Sequence, residues 1–190
     1  MIGKRTSLSL VVIALLPAVP ALAASGTPVL LFQALKAGQW AQLEGTPQKD
    51  HTVLCSEAKI LAGDFLEEDC HVRGVVRGID TRRRRIYVHR LGIQPKDQVE
   101  YESENGTLND FPDIKLGMLI SVEGTYANDG TFLATELEDE SEKLTRKPEW
   151  ETKIQFVGRV EKLDAVKRTI RLMGTAFVVT DGTRVKSVLK

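Results

Sequence analysis

Two cysteines in 190 residues are too few for a disulfide-dense miniprotein, and fifteen glycines too few for a collagen-like chain. An apolar share of 42% is too high for a disordered tail. The chain also lacks the signatures of common chemistries. It has no glycine-rich phosphate loop and no HExxH, and its three histidines have no Ser or Cys beside them in a nucleophile motif. Acidic residues are plentiful, but they fall in solvated runs such as Glu136 to Glu142 rather than as an isolated pair in apolar surroundings. A hydrolase acting through carboxylates is therefore only a third reading. What is left is an ordinary folded protein of one or two small domains.

No apolar run is long enough to span a bilayer, which takes about 20 residues. The strongest one, Leu8 to Leu16, follows Lys4 and Arg5, is broken by Pro17 and Pro20, and leads into Ala21-Leu22-Ala23. A charged start, a short apolar run and small residues at the positions read by a signal peptidase spell a secretory signal peptide. Residues 1–23 are read as that leader, cleaved after Ala23, and no Cys at the cleavage site offers itself for lipid attachment. The small-residue ending suits bacterial export, so a soluble periplasmic protein is expected. Removing residues 1–23 leaves 24 basic against 26 acidic residues, a net charge of about −2.

The remaining chain repeats itself. Beginning at Lys36 it reads KAGQWAQLEGTPQKDHTVLCSE and at Lys115 KLGMLISVEGTYANDGTFLATE, with nine of 22 positions identical at an offset of 79. A second pair, GVVRGIDTRRRRIYV from Gly74 and GRVEKLDAVKRTIRL from Gly158, matches at an offset of 84. The order is A1-B1-A2-B2, and repetition governs the rest of the reading. Each half unit looks like a β-hairpin. In B1, Val72, Val76, Ile86 and Val88 alternate around the polar turn Asp80-Thr81-Arg82-Arg83, and in A2 the turn is Asn128-Asp129-Gly130. The one amphipathic helix candidate is Val29 to Leu35.

The stretch GVVRGID...RRIYV followed by LGMLISVEGTYANDGTFLATELE resembles an uncharacterised bacterial repeat of exported proteins, usually regarded as a small OB-like β-barrel. The resemblance covers 72–140 well and implies that B1 with A2 forms one complete module; it implies no activity. A1 (36–62) and B2 (154–190) are then orphans at opposite ends of the chain. A lone hairpin is marginal in water and exposes a strand edge. The expected fold is therefore all-β, with two small OB-like antiparallel barrels. The second is built from the N- and C-terminal hairpins around the inserted central one, with 141–153 as a charged linker. Tandem pairing, A1 with B1 and A2 with B2, or exchange of halves between two chains is the alternative. The inserted arrangement requires contact between Trp40–Leu54 and Phe156–Val188.

Cys55 is expected to end the last strand of A1 and Cys70 to open the first strand of B1. In an oxidising compartment two such cysteines of a small protein most often pair, so a Cys55–Cys70 disulfide is expected. A competing reading is a periplasmic copper or zinc protein using His51, Cys55, Cys70 and His71. Strand geometry weighs against it. His51 and Cys55 would be about 13 Å apart, and Cys70 and His71 would face opposite sides.

Charge is the sharper functional clue. Between Arg73 and Lys96 there are seven Arg and one Lys against the single acid Asp80, whereas Asp97 to Leu144 carries 13 acids against Lys115 and Lys143. In an OB barrel the loops joining strands one to two and four to five commonly border the ligand face, here 80–85 and 127–131. Arg82, Arg83, Arg84 and Arg85, with Arg77, are the candidate anion-binding residues, since guanidinium groups hold phosphates and carboxylates bidentately. The plainer reading is that these arginines lie across from Glu100, Glu102, Glu104 and Glu136 to Glu142 and neutralise them. Nucleic acid is not expected, because the aromatic platforms of single-strand binders are missing near the cluster, where only Tyr87 and Tyr101 stand. The leading expectation is a non-catalytic binding or scaffold protein that recognises an anionic envelope polymer or a protein partner and carries no cofactor.

Overall fold

The computed structural model describes residues 25, 26, 28–104 and 106–187. The expected leader, 1–23, lies outside them. In chain order the elements are β1 (Ser25–Gly26), α1 (Pro28–Ala34), β2 (Trp40–Pro47), β3 (Val53–Ile60), β4 (Cys70–Asp80), β5 (Arg85–Val88), β6 (Leu91–Ser103), β7 (Leu119–Tyr126), β8 (Thr131–Asp139), α2 (Lys143–Arg146), β9 (Ile154–Asp164), β10 (Thr169–Leu172) and β11 (Thr175–Ser187). The protein is thus mostly β.

Five consecutive strands close on themselves. β4 pairs with β5, β5 with β6, β6 with β8, β8 with β7, and β7 returns to β4 along Cys70↔Gly124 to Val75↔Leu119. Alternation fills the interior of this barrel, and Ile86, Val88, Ile93, Val122, Phe132 and Leu137 are all fully buried. One ladder departs from the expected all-antiparallel barrel: β6 runs parallel to β8, with Ile93 opposite Phe132 and Glu100 opposite Glu136. The reason is connectivity. β7 intervenes in sequence between β6 and β8, so the two arrive side by side pointing the same way.

The other strands extend the same sheet. β9 pairs with β4 over Gly74↔Ile154 to His71↔Val157, and β2 pairs with the opposite edge of β9 over Trp40↔Arg159 to Gly45↔Ile154. β3 pairs with β2, and β11 lies parallel to β3 with Leu54 opposite Val178. β10 pairs with both β9 and β11, and β1 caps the outer edge of β11. Trp40–Leu54 is thus hydrogen-bonded to the C-terminal strands, as the inserted arrangement requires. Leu43, Val53, Phe156, Ile170, Leu172 and Phe177 are buried between these strands, Phe156 meeting Phe177 edge-on at 5.7 Å. Both regions belong to one continuous apolar cluster.

Positions related by the two offsets share backbone detail. The turn after β4 is held by Asp80, whose Oδ1 accepts the amides of Arg82 and Arg83, both at 3.1 Å. In the turn after β9, Asp164 accepts the Lys167 amide at 2.8 Å. Arg84 and Arg168 both close those turns in left-handed backbone, at φ 47° and 50°. The β2–β3 and β7–β8 ladders each slip register at the glycine of Glu-Gly-Thr. A Cβ on Gly45 would lie 2.3 Å from the Leu54 carbonyl oxygen, and one on Gly124 2.1 Å from that of Leu133, so only glycine admits the crossing strand at that bulge. In the β4–β9 ladder, Val72 faces Phe156. These two are themselves equivalent at offset 84, which places a local pseudo-two-fold axis between them.

Two sequence expectations need correction. Cys55 lies within β3 rather than at its end, since β3 continues to Ile60. Residues 141–153 are not a free linker. They fold into α2 and a 3-10 turn at Pro148–Glu151, and Trp150 lies under the Arg73 guanidinium of β4 at 5.3 Å.

Candidate functional site

The five candidate arginines are divided among different tasks. Arg82, Arg83 and Arg84 stand exposed on the β4–β5 turn, whose backbone Asp80 fixes. Arg83 makes only a long contact with Asp80, 3.7 Å between groups that are 73% and 30% exposed. Arg82 has no ion pair among the described residues. Arg84 reaches Asp110 at 3.3 Å and lies 5.6 Å over the ring of Phe111, so it braces the 3-10 turn at Phe111–Asp113. Arg85 is half-buried. Its stem crosses Gly92, where a Cβ would come within 2.9 Å of Cδ, and its Nη2 donates to Gln94 Oε1 at 3.2 Å and to Thr131 Oγ1 at 3.3 Å. The last contact draws the β4–β5 turn toward the start of β8, beside the 127–131 turn. Arg77 points elsewhere, its Nη2 donating to the Glu151 carbonyl.

The plainer charge reading does not describe the pairing. Arg82 to Arg85 meet Asp80, Asp110, Gln94 and Thr131, and none of them pairs with Glu100, Glu102, Glu104 or Glu136 to Glu142 among the described residues.

Sequence reasoning missed the buried charge in this barrel. The Glu140 side chain is 1% exposed and its Oε1 accepts from Arg73 Nη2 at 2.6 Å and Lys143 Nζ at 2.5 Å. Its Oε2 and Arg73 Nε are buried without a hydrogen-bond partner. His71, alongside, has Nε2 2.8 Å from Ser121 Oγ. Burial, with the Arg73 charge behind it, pushes the His71 imidazole down to about 4. The signal that could have found part of this cluster is the alternation along β4, which puts His71 and Arg73 on one face but does not reach Glu140.

The residues of the metal reading are not brought together. His51 sits in the β2–β3 turn with φ 69° and its carbonyl accepts from His89 Nε2 at 3.2 Å. Cys55 is buried in β3, its Sγ donating to the Glu57 carbonyl at 3.3 Å. Cys70 packs at Gly158, where an added Cβ would meet its Sγ at 3.6 Å and Met173 Cε at 2.8 Å, and His71 faces the other way. Among the described residues no group of three or more His, Cys, Asp or Glu is arranged to hold a metal ion. The expected Cys55–Cys70 disulfide is likewise absent and both thiols are free. The residues stand on separate strands, β3 beside β11 and β2, β4 beside β7 and β9. Burial raises both thiols, Cys55 to about 12, which keeps them protonated and inert.

A cleft of about 380 Å³ is lined by His51, His89, Arg90, Tyr126, Met173 and Thr175, contributed by turns of both strand sets. No helix of the described residues is long and apolar enough to cross a membrane.

The central strands thus define a small closed β-barrel with an arginine-bearing turn at one end. Residues 73–138, all but the edges of that barrel, match the family described as Domain of unknown function (DUF5666). No curated protein and no solved structure matches the chain.

Proposed function

We propose that the protein is an exported, periplasmic binding protein that works without catalysis, its leader removed after Ala23, and that it recognises an anionic envelope polymer through the tip of the β4–β5 turn. The observation that carries this reading is the state of Arg82 and Arg83. They are exposed and lightly paired on a turn whose backbone two Asp80 hydrogen bonds hold rigid. A preorganised turn loses little freedom when guanidinium groups close on phosphate or carboxylate.

On this reading each strand set is an OB-like module, 72–140 and 36–62 with 154–190. The order β4-β5-β6-β8-β7, with β6 parallel to β8, supports it for the first. The ladders β9–β10, β10–β11, β11–β3, β3–β2 and β2–β9, with β11 parallel to β3, support it for the second. The Arg85–Thr131 contact sets the strand one-to-two turn beside the four-to-five turn, where such barrels take ligands.

The test uses Arg82→Gln with Arg83→Gln, leaving Arg84 and Arg85 to their bracing contacts. Binding to purified lipopolysaccharide is measured at 50 and 200 mM salt. The wild type binds in a salt-sensitive way and the double variant binds at least tenfold more weakly, about 1.4 kcal/mol. Undiminished binding would leave these arginines as solvated turn residues.

A further inference from the structure

The outer face of the central barrel carries an array of carboxylates in which Glu100, Glu102, Glu123 and Glu136 make no ion pair among the described residues, and the terminal strands show what would answer it. In the terminal set, Glu57 on β3 stands opposite Arg184 of β11 and beside Glu44 of β2. That frame is neutralised internally: Arg184 and Lys186 reach Glu57 at 3.2 and 2.8 Å, and Lys153 reaches Glu44 at 3.0 Å. The central barrel repeats the frame. Glu136 on β8 stands opposite Glu100 of β6 and beside Glu123 of β7. At the same offsets, however, Arg184, Lys186 and Lys153 are replaced by Glu100, Glu102 and Asp69, and Lys59 by Glu138. Four cations have become four anions around an unchanged pair of acids.

The face pays for this arrangement in like-charge repulsion. Glu136 is raised by burial and by Glu123, Glu102 and Glu100, and Glu138 by burial and by Glu140, against the opposing charges of Lys143 and Arg73. Glu140, one residue past the end of β8, is almost wholly buried; its Oε1 is already held by Arg73 and Lys143, and only Oε2 lacks a hydrogen-bond partner. Such a face is retained at a cost in stability and calls for cations from outside.

We infer that this β6-β8-β7 face docks a basic polypeptide segment of a partner protein, with Arg or Lys at alternate positions of an extended strand. The spacing follows from the terminal set, where the answering cations are Arg184 and Lys186, two residues apart. In an extended strand such residues lie about 6.6 Å apart on one side, which matches the rows Glu100–Glu136 and Glu102–Glu138. A single divalent ion suits the face poorly. It needs six or more oxygens within about 2.6 Å of one point, and the carboxylates are spread across three strands.

The probe is a labelled peptide alternating Arg and Lys with Thr, compared with one in which Gln replaces the cations, added to the full chain and followed by fluorescence anisotropy. The informative variant is Glu100→Arg with Glu102→Lys, which installs the cations of the terminal set. Its thermal midpoint, equal to or above that of the wild type, shows that it folds. The wild type is expected to bind the basic peptide in a salt-sensitive way and the Gln peptide at least tenfold more weakly. The Glu100→Arg, Glu102→Lys variant should lose at least tenfold toward the basic peptide, and Arg82→Gln with Arg83→Gln should lose nothing. Equal binding by wild type and the glutamate variant would overturn the proposal. So would stoichiometric calcium binding to this face. Sedimentation that shows a salt-sensitive dimer abolished by both variants would also overturn it, assigning the face to a second copy of the chain.

Discussion

His71 shows how much a single buried side chain sets the response to acid. Its neighbours are Ser121, Arg73 and Glu140, and burial with the Arg73 charge holds its imidazole near 4, below the 6.5 of an exposed histidine. The native state therefore keeps His71 neutral while the unfolded chain takes up a proton first. Stability from this group is intact above about pH 6.5, falls as the pH drops below that value, and levels off near 4, a loss on the order of 3 kcal/mol in all. Urea unfolding at pH 7.5 and 4.5 should show a clearly smaller pH-dependent drop for His71→Gln than for the wild type. Parallel drops would place the acid sensitivity in other groups, such as the Arg73–Glu140 pair. That pair was not legible in the sequence. Glu140 sits in an acidic run that reads as solvated, and its partner lies 67 residues earlier. By contrast Trp40 was legible as a packing residue, because the repeat aligns it with Leu119; it is buried and stacks on Phe65 at 5.0 Å.

At the scale of the elements, the glycine bulges decide whether the barrel closes. A methyl group on Gly124 would meet the Leu133 carbonyl oxygen at 2.1 Å, and one on Gly45 the Leu54 carbonyl oxygen at 2.3 Å. The obstacle is backbone on a paired strand, so relief means moving the ladder. Gly124→Ala and Gly45→Ala should each cost about 2–3 kcal/mol, near the upper end for an overpacked site. Gly38→Ala tests a different cause, since an added Cβ there meets nothing within 4 Å and the only burden is the left-handed backbone, φ 86°. It should cost about 1 kcal/mol. Chemical denaturation of the three variants ranks them, and an equal cost at Gly38 and Gly124 would remove the steric argument. These glycines were legible as repeated letters but not as bulges. The hairpin turns were read correctly because Asp80 and Asn128-Asp129-Gly130 carry local turn chemistry. β6 was not read as a 13-residue strand, because Gln94-Pro95-Lys96-Asp97 interrupts the alternation with polar residues and a proline. The structure absorbs that interruption as a register shift against β8 between Pro95 and Glu100. Parallel pairing left no trace either, since a strand's own pattern does not record its neighbour's direction.

At the scale of the whole molecule, the chain's order and its spatial order differ by one cut. The central set runs β4, β5, β6, then β7 and β8 in sequence. The terminal set runs β9, β10 and β11 at one end of the chain and β2 and β3 at the other. The pairing of the N-terminal strands with the C-terminal ones was legible from arithmetic on the half repeats, because two orphan hairpins that cannot stand alone have only each other to pair with. What the arithmetic could not supply is the closeness of the first and last described strands. Ser25 of β1 is the ladder partner of Lys186 of β11, so the backbone near residue 25 lies about 5 Å from that near 186. A rearranged chain follows from this. It starts at Lys147, runs through β11 to Ser187, crosses a short Gly-Ser link to Ser25, and continues through β2 to β8, ending at Arg146. The new ends fall between α2 and the 3-10 turn, an exposed place where, among the described residues, the only main-chain bond given up is from the Lys147 amide to the Lys143 carbonyl at 2.8 Å. Every strand ladder is kept, and the terminal set becomes continuous in the same order as the central one. The permuted chain should give the far- and near-ultraviolet circular dichroism of the natural order and a single thermal transition within a few degrees of it. A permuted chain that aggregates, or that loses its near-ultraviolet signal, would mean that the terminal hairpins depend on their natural order and not only on the ladders that join them.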